Sequence, residues 1–254
     1  MKKVTAFIGT QSKKATYLAV QEFEKNLKQY VDIDFEYVFL SDYRLEFCRG
    51  CKLCFLKGEE YCPSKDDRDV LLKKMEHSDG VILATPVYTF QVTARMKNFL
   101  DRLAFICHRP RFFGKACTAI VTQGIYGGEG VLKYLNFTAE SLGFQVSKGC
   151  VMTTLDPMTK LQRKKLIQET KKASARFYKE LMRPTQSPSF FKLMIFRMAR
   201  TNIKFLDKKY RDYKYYKEKG WFESDYYYPT SLGIIKKLAG NLFDFLGRQM
   251  VKQQ

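Results

Sequence analysis

Short apolar runs and amphipathic stretches alternate along the first two-thirds of this chain. Val4–Ile8 is a brief apolar run that stops at Gly9-Thr10, and helical spacing follows through Leu18, Val20, Phe23 and Leu27. Asp34–Leu40 reads as a second strand, and a cysteine-rich stretch after it reads as an irregular loop. The pattern then predicts helices over Asp66–Met75, Ala94–Phe105, Gly130–Ser141 and Met158–Met182, with Asp67 as an amino-terminal cap. Strands are predicted at Gly80–Ala84, Ala116–Thr122 and Phe144–Val151, the last opened by Gly143. Strict alternation at this spacing means parallel strands joined by crossover helices, hence an α/β, doubly wound, five-stranded sheet.

In such sheets ligands lie beyond the carboxyl ends of the strands, where the strand order reverses. With order 2-1-3-4-5, the loops after strands one, three and four meet there. The first is Gly9–Thr16. Its hydroxyls at Thr10, Ser12 and Thr16, its Lys13 ammonium and the N–H groups opening a helix suit one terminal phosphate. It lacks the glycine spacing of a dinucleotide loop and the Gly-Lys-Ser/Thr of a triphosphate loop; an ordinary capped turn is the alternative. The second is Thr85–Phe90. Pro86 fixes the backbone direction, and Val87, Tyr88 and Thr89 follow it. Tyr88 and Phe90 offer a flat apolar wall of the kind a flavin ring needs, or else a core tyrosine in a crossover connection. The third runs from Thr122 through Gln123, Gly124 and Gly127, where glycine lets backbone approach a planar ligand; a flexible turn is its bland reading.

Together the three loops resemble the NADPH-dependent FMN reductase branch of the flavodoxin-like superfamily. The similarity covers about residues 1–183. It is most specific in Thr85-Pro86-Val87-Tyr88 and in Lys97-Asn98-Phe99-Leu100-Asp101-Arg102. The first loop departs from the family pattern, with Gln11-Ser12 where Pro-Arg is common. The resemblance implies bound FMN, NAD(P)H as co-substrate, and electrons passed to a quinone, nitro, metal or protein acceptor. It implies no catalytic side chain, because the cofactor carries the chemistry. The chain has only two histidines, His77 and His108, and neither is expected to be catalytic.

Cys48-x2-Cys51-x2-Cys54-x7-Cys62 gathers four of the seven cysteines. Such clustering points to metal or redox chemistry more than to a disulfide framework. Four thiolates suit an iron–sulfur cluster, and the run resembles the motif of iron–sulfur flavoproteins, which carry [4Fe–4S] on this fold. Zinc and a metal-free loop are the alternatives. With a cluster, a non-enzymatic electron carrier becomes the rival of the reductase.

Composition changes this picture mainly at the far end. Residues 1–183 are expected to form the FMN-binding domain, 184–189 a linker and 190–254 a mainly helical extension. The formal charge is +19, and residues 185–254 hold 14 Lys/Arg against 6 Asp/Glu. A basic surface attracts phosphates, but without a dense basic arm the case for nucleic acid is weak. Phe190–Leu206 and Gly233–Val251 read as apolar helices with basic positions. The expectation is that they pack on the core or on a second subunit of a homo-oligomer, with membrane-surface contact as the alternative. The amino terminus is basic and then apolar, but its apolar run is too short for a signal-peptide core, so a cytoplasmic protein is expected.

Overall fold

The computed structural model describes residues 1–252. Its sheet consists of β1 (Lys2–Ile8), β2 (Ile33–Phe39), β3 (Gly80–Pro86), β4 (Ala116–Gln123), β5 (Gln145–Val146) and β6 (Cys150–Thr153). The order is β2-β1-β3-β4-β5, with β6 also on β4, and every pairing is parallel. Helices α1 (Ala15–Leu27), α3 (Arg68–Glu76), α4 (Ala94–Arg102), α6 (Gly128–Leu142) and α7 (Lys160–Met182) alternate with the strands. Short helices α2 (Leu53–Leu56) and α5 (Phe105–His108) lie between them, and α8 (Phe190–Lys204), α9 (Arg211–Glu218) and α10 (Ile234–Lys252) follow. This is the flavodoxin-like doubly wound fold with a helical extension.

Both faces of the sheet are covered, which is why its strands read as continuous apolar runs. On one face Val4, Ala6, Ile8, Ile82 and Ile120 pack against Ala19, Phe23, Leu27 and Phe177 of α1 and α7. On the other, Phe7 stacks on Phe99 of α4 at 5.1 Å between ring centroids.

The fifth strand differs from expectation. Cys117 pairs with Val146 and Ile120 with Cys150. Four residues on one strand therefore oppose three on β4, the signature of a bulge, which divides Phe144–Val151 into β5 and β6. Gly149 sits in the bulge, and a Cβ there would lie 2.0 Å from the Ala119 carbonyl oxygen. The helix expected over Ala94–Phe105 also divides. After Arg102 the chain tightens, with Leu103 N–H donating to Leu100 O and Ala104 N–H to Asp101 O, both three residues back. Asp67 does occupy the cap position of α3, but its side chain makes no cap bond; it accepts from Arg44 N–H instead. The cysteine stretch is not wholly irregular, since it contains α2 and a 3-10 turn at Glu59–Tyr61.

The described chain divides into two compact units. Met1–Arg49 and Ser64–Arg183 form the sheet unit, and Gly50–Pro63 groups with the chain from Pro184 onward. The second unit has an aromatic core. Trp221 meets Tyr216 and Tyr227 edge-on at 4.9 and 4.7 Å, and its indole N–H donates to Tyr227 O. Burial pushes the Tyr227 phenol up to about 12. Much of the aromatic excess of the extension is thus its own packing.

Candidate functional site

The carboxyl ends of β1, β3 and β4 open onto one cleft of about 220 Å³. Thr10, Ser12 and Thr16 of the first loop line it, with Pro86, Val87 and Tyr88 of the second and Thr122, Gln123 and Gly124 of the third. The cleft thus draws on all three loops that the topology singles out.

The first loop is fastened from below. Gly9 sits where a Cβ would lie 2.8 Å from Thr93 Oγ1 and 2.9 Å from Met96 Cβ, so only glycine passes over the start of α4. Thr93 Oγ1 donates to Gly9 O at 2.6 Å and accepts from Met96 N–H, capping α4 with the same hydroxyl. Thr16 and Thr122 share a buried hydroxyl–hydroxyl bond of 2.7 Å, which joins the start of α1 to the end of β4. Lys14, at the amino-terminal cap of α1, makes no side-chain cap bond. Helix-opening N–H groups that no cap side chain satisfies are suited to an anion.

Which lysine faces the cleft differs from expectation. Lys14 lines it and Lys13 does not: Lys13 Nζ lies over the Phe39 ring, 5.8 Å from its centroid. Lys14 is ion-paired with Asp156, whose carboxylate raises the ammonium's pKa through a hydrogen bond and its charge. Thr89 and Gly127 are likewise absent from the lining, whereas Ala15 and Thr154 belong to it. Thr154 was legible in principle, because it directly follows the last strand and so also sits at a carboxyl end.

The second loop is strained. Tyr88 and Gln91 exchange both backbone hydrogen bonds, 2.9 and 3.0 Å, around Thr89 and Phe90. Both central residues are left-handed, at φ 48° and 60°. That is the turn in which Asn-Gly is preferred, and a β-branched threonine and a phenylalanine are costly there. The Phe90 ring rests on Tyr126 at 5.3 Å, and both rings are exposed, as is Tyr88. In the third loop Gln123 acts largely as an internal brace. Its Nε2 donates to Ile125 O and Thr153 Oγ1, and its Oε1 accepts from Gly128 N–H.

The chain matches the family model for NADPH-dependent FMN reductase over residues 2–156. The chain belongs to that family. Its relatives include an iron–sulfur flavoprotein of Archaeoglobus fulgidus, 42% identical over 109 residues, which cover 42% of this chain and 49% of that protein. Another is an iron–sulfur flavoprotein of Methanocaldococcus jannaschii, 46% identical over 70 residues, covering 28% and 35%. The match thus spans about half of the first relative and about a third of the second. The crystal structure of an FMN-dependent NADH-azoreductase from Bacillus anthracis in complex with FMN shares the fold, with a TM-score of 0.53 and 14% identity over 69% of this chain and 99% of that one.

Within this FMN reductase family member, the Lys97–Arg102 helix segment has a visible structural task. Asn98 Oδ1 accepts from Cys48 N–H, and its Nδ2 donates to the carbonyls of Leu45 and Glu46. Arg102 donates to Glu46 O as well. The helix therefore pins the backbone that leads into the cysteines. Cys48 falls in the sheet unit, and Cys51, Cys54 and Cys62 fall in the other. Among the described residues no disulfide forms, and no three Cys, His, Asp or Glu side chains are gathered so as to hold a metal ion. Cys117 and Cys150 are buried, and burial pushes the Cys150 thiol up to about 12 and that of Cys117 higher. Neither suits thiolate chemistry.

Proposed function

We propose that this protein is an FMN-dependent oxidoreductase that takes electrons from NAD(P)H and passes them to a quinone, nitro, metal or protein acceptor. The observation that carries the reading is the single cleft built from all three switch-point loops in an FMN reductase family member. When bound, FMN supplies the exchange of an electron pair with the nicotinamide and onward delivery to the acceptor.

The chain's own part is to bind and orient. Thr10 and Ser12, with the N–H groups opening α1, receive the phosphate. Lys14 brings positive charge to that end while Asp156 holds it in place. Pro86 and Val87 form the apolar floor, and Tyr88 provides the wall for the ring. Thr122 and Gly124 let the third loop's backbone come close to the ring's polar edge. No side chain is needed as general acid or base.

A mononucleotide rather than FAD is expected, because the first loop offers one phosphate site and no dinucleotide fingerprint. Acid release of the cofactor and its mass decide between FMN and FAD. Steady-state NADH and NADPH oxidation with a quinone or ferric acceptor tests the reaction; flavin-loaded protein that oxidises neither nucleotide would leave only an electron carrier.

A second reading adds a [4Fe–4S] cluster at Cys48, Cys51, Cys54 and Cys62. Its support is the kinship with proteins called iron–sulfur flavoproteins. No step of the reaction is routed through it.

A further inference from the structure

Where α8 meets α10, the second unit buries a cluster of charged side chains beside its aromatic core. α8 and α10 meet at Gly240 and Gly247. A Cβ on Gly240 would lie 3.1 Å from the Arg197 guanidinium, and one on Gly247 would lie 3.2 Å from Thr201 Cβ. Between the two glycines the buried Asp244 carboxylate accepts from Arg197 Nη1 at 2.9 Å, from Arg200 Nη2 and from Thr201 Oγ1. The contact face of α10 is therefore Gly240, Asp244 and Gly247.

At 100° per residue, Ile234, Leu238, Leu242, Phe245 and Leu246 fall in an arc of about 120° on the opposite side of α10. All five are exposed, Ile234 to 79% and Leu238 to 63%. On α8, Phe190, Phe191 and Ile195 are exposed too. An exposed apolar stripe of this kind marks a binding face. Apolar side chains on the face of a basic helix turned away from its helix–helix contact suit a surface that meets lipid.

Charge selects the occupant. α8 and α10 together carry eight Lys/Arg and one Asp. Arg197 and Arg200 are taken up inside by that Asp, while Lys236, Lys237 and Arg248 lie outside the apolar arc and flank it. A second copy of the same surface would set two helices of net charge +7 against another such pair. An anionic surface complements it. No described helix is long and apolar enough to cross a membrane, so the helices would lie in the interface plane. We propose that the exposed apolar face of α8 and α10 docks on an anionic lipid bilayer.

The test is sedimentation of the full chain with vesicles of phosphatidylcholine alone and of phosphatidylcholine with about a third phosphatidylglycerol. The proposal expects binding to the anionic vesicles, weakened by salt and at least about tenfold weaker without the anionic lipid. Leu238→Glu/Phe245→Glu should weaken it by about tenfold or more, on the transfer cost of two large apolar side chains. Lys237→Glu/Arg248→Glu should weaken it through charge alone. Both pairs are exposed, and unchanged far-UV circular dichroism checks the fold. Absence of binding to anionic vesicles overturns the proposal, as does binding that neither pair alters or binding equal on uncharged vesicles. A dimer in solution that Leu238→Glu/Phe245→Glu dissociates, with no vesicle binding, would instead make a second copy the occupant.

Discussion

Asp66 and Arg102 form a bidentate ion pair, Oδ2 to Nη1 at 2.6 Å and Oδ1 to Nη2 at 3.0 Å, with side chains 0% and 2% exposed. The carboxylate also accepts from Glu46 N–H and Arg68 N–H. The pair thus ties α4 to the start of α3 and to the segment leading into the cysteines. Asp66→Ala takes the two-pronged carboxylate away from a buried guanidinium, so it is expected to lose about 3–5 kcal/mol of stability in denaturant unfolding. Arg102→Lys should rescue little, because an ammonium cannot make the two-pronged contact.

The turn at Thr89-Phe90 predicts a gain. Thr89→Asn keeps the left-handed backbone with a residue that tolerates it, and should raise stability by about 1 kcal/mol. Thermal unfolding reads this directly. No change would mean that the turn relaxes in solution.

Tyr88→Ala should weaken FMN binding by about tenfold, the loss of one aromatic contact, with the unfolding midpoint nearly unchanged because the side chain is exposed. Flavin fluorescence titration measures it. An unaltered dissociation constant would remove Tyr88 from the site.

Acid stability should depend on Asp79. Burial works against its charge, but Lys3 N–H at 2.8 Å and the Lys2 ammonium at 2.9 Å overcome this and hold its pKa below the ordinary aspartate value. A depressed folded-state value stabilises the fold above the unfolded value, roughly 3.9, and that contribution is lost as pH falls through the folded value. The wild-type melting temperature should therefore fall more steeply between about pH 5 and about pH 3 than that of Asp79→Asn.

Iron analysis of anaerobically prepared protein tests the cluster reading. It expects about four irons per chain, broad absorption beyond the flavin bands, and loss of both in Cys54→Ser. Flavin-loaded protein without iron, in which Cys54→Ser leaves NAD(P)H oxidation intact, would make the cysteine segment a metal-free loop.

Much of the sheet was legible because it depends on period and punctuation. Val4–Ile8, Gly80–Ala84 and Ala116–Thr122 are buried on both faces and bounded by Gly, Thr or Pro, so burial and boundary are written in the same few residues. Given the order 2-1-3-4-5, the meeting of Thr10, Tyr88 and Thr122 at one cleft follows from where that order reverses. Tertiary contacts decided what local pattern does not encode. The bulge at Gly149 exists because one extra residue must pass the Ala119 carbonyl. Lys14 lines the cleft and is ion-paired with Asp156, 142 residues further along the chain, a partner that local pattern does not encode. Asn98 and Arg102 hold the cysteine approach through partners 30 to 60 positions away, for the same reason. The outward apolar face of α10 also belongs here: its periodicity marks an amphipathic helix, but only packing reveals that Gly240, Asp244 and Gly247, not the leucines, face the neighbouring helix. Period sets which residues share a face, and the choice of the face that is buried is made by the partners that three dimensions supply.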